Sequence, residues 1–143
     1  MKSFSVIRAI QNQSLEQFKI GGIGMADKAV KYSAKGIDFA PGVAGFSAKA
    51  VEINSPFSGR PEAHKYQHDL YVVISGTAKV KTGVLNGDIK EISDGEFRSE
   101  EMIVEEEHIL QIGDSLLIPT GVGHSLIVES GTYSQWVFKI DNK

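Results

Sequence analysis

The chain of 143 residues contains no cysteine. Disulfide bonds and thiolate chemistry are therefore excluded, and any bound metal must use nitrogen and oxygen ligands. The lack of cysteine fits a cytoplasmic protein. Residues 1–8 also lack the sustained apolar core and cleavage site of a secretory signal. We therefore expect a cytoplasmic location.

Long apolar runs and basic patches are also missing. No stretch approaches the roughly 20 apolar residues that cross a bilayer, so we expect no membrane partner. Residues 83–107 carry nine acidic side chains against Lys90 and Arg98, and the remaining positive charge is diffuse. Because nucleic-acid binders concentrate basic and aromatic side chains, we expect no nucleic-acid partner. We interpret the acidic segment as a solvated loop rather than a binding surface. Its second half, residues 95–107, is either a lid over a pocket or a long exposed hairpin.

The length predicts one domain, residues 1–143. Within it we expect a helical or irregular segment over residues 1–44 that packs on a barrel formed by residues 45–140. A capping box at residues 14–17 predicts one short helix, and the composition of residues 25–34 favours a second.

From residue 46 onward the apolar residues recur with a period of two, which is typical of strands. Many short strands bounded by glycine, proline or Asp-Gly pairs indicate a barrel or sandwich. In the last predicted strand an apolar face that includes Trp136 alternates with Gln135 and Lys139, so we expect the polar face to meet solvent or a partner. The predicted strands are residues 46–53, 70–74, 77–81, 108–112, 115–118, 125–128 and 133–140.

Four side chains have the spacing of a metal site. Glu62 and His64 lie two residues apart, so on a strand they share one face. After a turn at residues 65–68, Asp69 begins the returning strand and brings its carboxylate back beside His64. Residues 113–124 indicate a strand, a turn at Pro119 and then His124 at the start of the next strand. The predicted ligands are Glu62, His64, Asp69 and His124.

Simpler interpretations stay open for several of these residues. His124 can be a polar residue at a strand start, and Asp69 can accept a turn amide instead of a metal. His64 and His68 have the spacing that pairs histidines on a helix, but the context indicates a turn and a strand. We therefore place His68 behind the ligands or at the surface. His108 is interpreted as an ordinary strand residue.

These residues resemble the two motifs of the cupin superfamily, over residues 45–140. The family's first motif has two histidines two apart, then an acid and a glycine. Here Glu62 stands at the first histidine and Asp69 at the usual glutamate, while Gly76 and the whole second motif fit. The chain looks like a subgroup of small single-domain bacterial cupins that share a Glu-x-His-x4-Asp motif, a stretch like Gly95-Glu96-Phe97-Arg98 and a closing Val-Phe-Lys-Ile strand. The resemblance implies an all-β, cupin-type double-stranded β-helix (jelly-roll) barrel with short N-terminal helices.

The ligand set and the resemblance together suggest a function. Two imidazoles and two carboxylates suit Zn, Fe, Mn, Ni or Co better than copper(I). The resemblance implies a small-molecule ligand or substrate, and a metal-dependent oxygenase, isomerase or lyase; the alternative is a module that binds or senses a sugar-like ligand without turnover. An empty or merely metal-filled structural cupin is a third interpretation.

Two further expectations concern catalysis and charge. Tyr71 and His68 are the candidate acid–base residues, although core packing is the simpler role for Tyr71. No phosphate-binding glycine loop, Ser-His-Asp set or nucleotide fingerprint competes with the metal site. Because two carboxylates neutralise a dication, we expect a bound water to be less acidic than at a three-histidine site.

Exposed sheet edges and an apolar outer face predict a homodimer.

Overall fold

The computed structural model describes residues 28–36, 38–41 and 43–142. The regular secondary structure of these residues consists of twelve β-strands. In chain order they are β1 (Ala40–Pro41), β2 (Phe46–Asn54), β3 (Phe57–Ser58), β4 (Glu62–His64), β5 (Gln67–Ser75), β6 (Ala78–Asn86), β7 (Lys90–Ser93), β8 (Glu96–Arg98), β9 (Glu101–Leu110), β10 (Ser115–Ile118), β11 (Gly123–Val128) and β12 (Thr132–Asp141).

The strands form two antiparallel sheets. One has the order β1-β2-β12-β5-β10, and the other the order β7-β8-β4-β11-β6-β9, with β3 paired to β11. Apolar side chains from both sheets meet in one core, which includes Val73 and Tyr71 from the first sheet and Val80 and Val128 from the second. The all-β barrel predicted from the sequence is confirmed.

The acidic segment at residues 83–107 is mostly exposed to solvent, as predicted, but it is not a loop. It contains the end of β6, all of β7 and β8, and most of β9. An antiparallel strand needs only one buried face, so exposed acidic side chains do not prevent pairing. The ladder between β6 and β9 runs from Ala78 opposite Leu110 to Asn86 opposite Glu101. Charge alone was therefore a poor guide to the backbone here.

The helices predicted near the amino terminus have different outcomes. The capping box at residues 14–17 lies outside the described residues, as does most of the segment 1–44. The second helix was predicted for residues 25–34, but residues 28–33 have no regular structure. Only Tyr32 is partly buried there, and a short helix without a packed apolar face is unfavourable in water. No helix of the described residues is long and apolar enough to cross a membrane.

The two faces of β12 are reversed from our prediction. Gln135, only 3% exposed, points into the barrel, and the Tyr133 hydroxyl donates to its Oε1 at 2.7 Å. That bond satisfies the amide oxygen in the interior, where an unpaired oxygen would be unfavourable. The apolar face lies outside, where Phe138 stacks on Trp136 and on Phe46 with ring centroids 5.9 and 5.6 Å apart.

A glycine turn between β5 and β6 gives a test of the packing. Gly76 has φ of +79°, and an added Cβ would lie against the Thr132 carbonyl oxygen and 3.0 Å from Tyr133 Cα. Gly131 has φ of +66°, but a Cβ there would meet open space. We expect Gly131→Ala to lower the free energy of unfolding by about 1–2 kcal/mol through backbone strain alone. Gly76→Ala should lower the free energy of unfolding by about 1–3 kcal/mol more than Gly131→Ala does, because of the steric clash. Urea unfolding of both variants checks this, and equal losses would contradict the packing described.

Candidate metal centre

The four predicted ligands lie together inside the barrel. Glu62 and His64 come from β4 and His124 from β11, which are strands of the larger sheet. Asp69 comes from β5, in the other sheet. One ligand atom from each residue lies within 4.8 Å of the other three. The cluster therefore spans the gap between the two sheets, and its role as a metal site stays a prediction.

Local chain geometry brings these side chains together. Glu62 is the cross-strand partner of His124, so the two side chains leave neighbouring strands side by side. A bend at residues 65–66 then leads into β5. In the loop before β11, the amide of Gly121 donates to the His64 carbonyl at 2.8 Å. Gly121 has φ of +82°, which glycine adopts without strain. The loop that leads to His124 is thereby fastened to β4.

The four atoms that face the centre alternate between imidazole nitrogen and carboxylate oxygen. The Nε2 atom of His64 lies 3.1 Å from Asp69 Oδ2 and 3.6 Å from Glu62 Oε1. The Nε2 atom of His124 lies 3.2 Å from Glu62 Oε1 and 3.5 Å from Asp69 Oδ2. Each histidine nitrogen therefore has both carboxylates as neighbours.

Both imidazoles are also fixed through Nδ1, the ring nitrogen that faces away from the centre. His64 Nδ1 lies 2.8 Å from Glu96 Oε1 and 3.0 Å from Glu96 Oε2, and His124 Nδ1 lies 3.0 Å from the Val122 carbonyl. Because these partners only accept, each Nδ1 is assigned as the donor, and in the neutral ring the lone pair is on Nε2. The Nε2 of His64 is buried and makes no hydrogen bond. Once the His64 ring is neutral, its electron pair therefore points at the centre, where no proton donor meets it.

Both carboxylates are also held from behind. Arg98 Nη2 lies 3.1 Å from Glu62 Oε2, and Lys139 Nζ donates to Asp69 Oδ1 at 2.8 Å. The opposite oxygens, Glu62 Oε1 and Asp69 Oδ2, are the ones that face the histidines. All four side chains therefore present one atom to the centre and have the other bound by the protein.

The charges of the cluster shift its pKa values strongly. Burial acts against ionisation, yet the hydrogen bond with His124 and the nearby His64 imidazole hold the pKa of Glu62 well below its usual range. The same balance, aided by Lys139, lowers the pKa of Asp69. Burial lowers the pKa of His64, but the adjacent carboxylates of Asp69 and Glu62 outweigh it and raise that pKa to about 9. The pKa of His124 is also raised, because the same carboxylates outweigh its burial. Without metal, the His64 imidazole is therefore protonated near pH 7, and the same carboxylates favour the protonated form of His124.

The other candidate residues lie outside the four-residue cluster. His68 Nδ1 accepts the Thr120 amide at 3.1 Å, so this histidine supports the loop before His124. His108 pairs with the Thr82 hydroxyl at 3.2 Å, as an ordinary strand residue does. The ring of Tyr71 lies edge-on to His124, with centroids 6.3 Å apart. Burial, together with the charge of Asp69, raises the pKa of Tyr71 well above its usual value, so the hydroxyl keeps its proton.

The sequence prediction gave Glu96, Arg98 and Lys139 no role in the site, and it wrongly placed Lys139 on a face that meets solvent or a partner. Glu96 and Arg98 lie two residues apart on β8 and so share the face that meets His64 and Glu62. Lys139 is the cross-strand partner of Asp69 on β12. The available signal was weak: both segments belong to the stretches that resemble the cupin subgroup, but resemblance alone says nothing of what these side chains contact.

Comparisons with known proteins agree on the fold. No family model and no curated protein sequence matches the chain. Among solved structures it is similar to the cupin domain of Schizosaccharomyces pombe Cnp3, with 10% identity, a TM-score of 0.56, and 80% of this chain and 76% of that one covered. It is also similar to Brassica napus procruciferin, an 11S globulin (21% identity, TM-score 0.51), and to the coconut allergen cocosin (14%, TM-score 0.51). These matches cover 68% and 69% of this chain, which spans only 21% and 22% of those two chains. The chain has the cupin fold.

Proposed function

We propose that Glu62, His64, Asp69 and His124 bind one divalent transition metal ion, at which the protein acts on a small molecule. The observation that carries the proposal is the direction of the four side chains, above all the buried His64 Nε2 that has no hydrogen bond. Neighbouring ligand atoms are 3.1–3.6 Å apart. Metal bonds of about 2.0–2.2 Å separate neighbouring ligands by roughly 3.0–3.5 Å. The residues present therefore suit Zn, Fe, Mn, Ni or Co.

The surroundings of the site favour isomerase or lyase chemistry within this proposal. A bound ion would supply Lewis acidity toward an oxygen of the small molecule. Tyr71 stands beside His124 and keeps its proton, so its hydroxyl can donate a hydrogen bond to an oxygen of the small molecule but is a poor base at neutral pH. Uptake of oxygen by the metal-loaded protein over a panel of small molecules would instead indicate an oxygenase.

Elemental analysis of protein purified without added metal tests the site directly. We expect about one metal ion per chain in the wild type, and a large loss in Glu62→Ala and in His124→Ala, because each change removes a ligand. His108→Ala is the matched control, since His108 is a strand histidine bound to Thr82 and should leave the metal content unchanged. Unchanged metal in both ligand variants would refute the site.

A second candidate function is binding without turnover. Beside β4 lies a cavity of about 450 Å³ whose walls are mostly apolar, with Val84, Leu85, Ile89 and Phe97 among its lining residues. Such walls suit a ligand with an apolar body better than the sugar-like ligand considered from sequence. Saturable binding of a small apolar molecule, with no product formed in the presence of metal, would favour this second function.

A further inference from the structure

We infer that Arg98 and Lys139 are positioning residues which hold Glu62 and Asp69 as one-oxygen ligands and so keep coordination positions open on the bound ion. The inference rests on the proposed metal site. It concerns how the ligands are held, and therefore how much of the ion remains accessible to a water or a small molecule.

The geometry is clearest at Asp69. Lys139 Nζ lies 2.8 Å from Oδ1, while Oδ2 lies 3.1 Å from His64 Nε2 at the centre. The two residues are cross-strand partners on β12 and β5, so the register of the sheet fixes the lysine beside this carboxylate. The side chains of Asp69 and Lys139 are only 2% and 16% exposed, so water competes little for Oδ1. Oδ1 is therefore bound by Lys139, and Oδ2 is the oxygen left to bind the ion.

Glu62 repeats the arrangement in the other sheet. Arg98 Nη2 lies 3.1 Å from Oε2, while Oε1 faces His124 Nε2 at 3.2 Å. Arg98 and Glu62 are again cross-strand partners, on β8 and β4. The guanidinium is itself fixed, because Nη1 donates to the Phe97 carbonyl at 2.9 Å. Nη2 also lies 3.7 Å from Glu96, the residue that orients His64.

The number of oxygens used determines what is left of the ion's coordination. A carboxylate can bind a metal through one oxygen or through both. Two histidines and two two-oxygen carboxylates would supply six bonds and fill an octahedral ion, whereas one-oxygen binding supplies four and leaves two positions. Turning a carboxylate so that both oxygens meet the ion would break the ion pair of Glu62 with Arg98 or the charge-assisted hydrogen bond of Asp69 with Lys139. Arg98 and Lys139 therefore favour the arrangement in which each carboxylate binds through one oxygen and two coordination positions stay open.

The test uses Mn²⁺ as the probe, because water bound to this ion is detected by the relaxation of solvent protons. Metal-free wild type, Lys139→Met and Arg98→Gln are loaded with Mn²⁺, and bound metal and relaxation enhancement are measured together. Lys79→Met and Arg60→Gln are matched controls, since these residues pair with Glu129 and Glu100 at the surface at 3.1 and 3.0 Å. We expect the controls to behave as wild type. The two test variants should keep Mn²⁺ but lose roughly half of the enhancement for each carboxylate that becomes a two-oxygen ligand.

The outcomes separate this inference from the proposed function. Retained Mn²⁺ with wild-type enhancement in both test variants would overturn the inference and leave the metal site standing. Failure of the wild type to take up Mn²⁺, Zn²⁺ or Co²⁺ would overturn the metal site, and the inference with it. If circular dichroism shows that Lys139→Met does not fold, the relaxation enhancement of Arg98→Gln decides alone. The variant Lys139→Arg keeps the positive charge, and a wild-type relaxation enhancement in it would support the role of that charge.

Discussion

Replacing Asp69 with alanine is expected to lower the free energy of unfolding of the metal-free protein by about 3–5 kcal/mol, because a buried ion pair loses one partner. The Asp69 carboxylate is 2% exposed and is bound by Lys139 at 2.8 Å. After the substitution the ammonium group of Lys139 would remain in the barrel without a counter-ion, and two raised-pKa histidines would lose an anion that stabilises their protonated forms. Denaturant unfolding in the presence of a chelator measures this loss.

Glu129→Ala is the matched control for this prediction. Glu129 also accepts from a lysine, Lys79, at 3.1 Å, but its side chain is 68% exposed. Exposed pairs contribute about 0–1 kcal/mol, so the control should change stability little. Removing the stranded charge in the double variant Asp69→Ala, Lys139→Met should recover much of the loss. A loss at Asp69 no larger than that at Glu129 would contradict the buried pairing.

Metal affinity is expected to rise by about tenfold for each pH unit between 6.5 and 9 through His64 alone. The pKa of His64 is raised to about 9 in the metal-free protein, so a proton must leave Nε2 before that nitrogen can bind an ion. The raised pKa of His124 adds to this dependence. Glu62 and Asp69 have lowered pKa values and stay ionised across this range, so they contribute nothing to it.

The stability of the metal-free protein should change in the opposite direction. A histidine whose pKa is raised on folding stabilises the folded state fully below about pH 6.5, and this contribution disappears as the pH rises through about 9. For His64 the contribution is about 3 kcal/mol at most.

Competition titrations of metal binding at several pH values test the predicted rise in metal affinity, with proton release measured in buffers of different ionisation enthalpy. An affinity that does not change between pH 7 and 8.5 would refute it.

The fold and the four clustered residues follow from local patterns in the sequence. Strand alternation places Glu62 and His64 on one face, and a short turn returns Asp69 beside them, so three of the four positions depend on only eight consecutive residues. The turn at Pro119 and the glycines around His124 supply the fourth. These features are encoded in neighbouring residues, and the sequence alone was enough to find them.

The residues behind the ligands were not predictable in the same way. Glu96 meets His64 across 32 residues of chain, and Lys139 meets Asp69 across 70. Such pairs depend on which strands are neighbours and on their register, and a one-residue slip reverses the face on which each side chain lies. The inward direction of Gln135 was missed for a related reason, because its polar group is satisfied inside the barrel by Tyr133.

The division of the cluster between the two sheets has a mechanical consequence. Asp69 belongs to one sheet and its histidine neighbours to the other, so these contacts fasten the sandwich at this point. An ion bound by all four residues would link the two sheets, and the sheets could not separate there without the loss of a ligand. A small molecule would then reach the ion by a path that leaves the distance between the sheets unchanged, such as the cavity beside β4, which His64 lines.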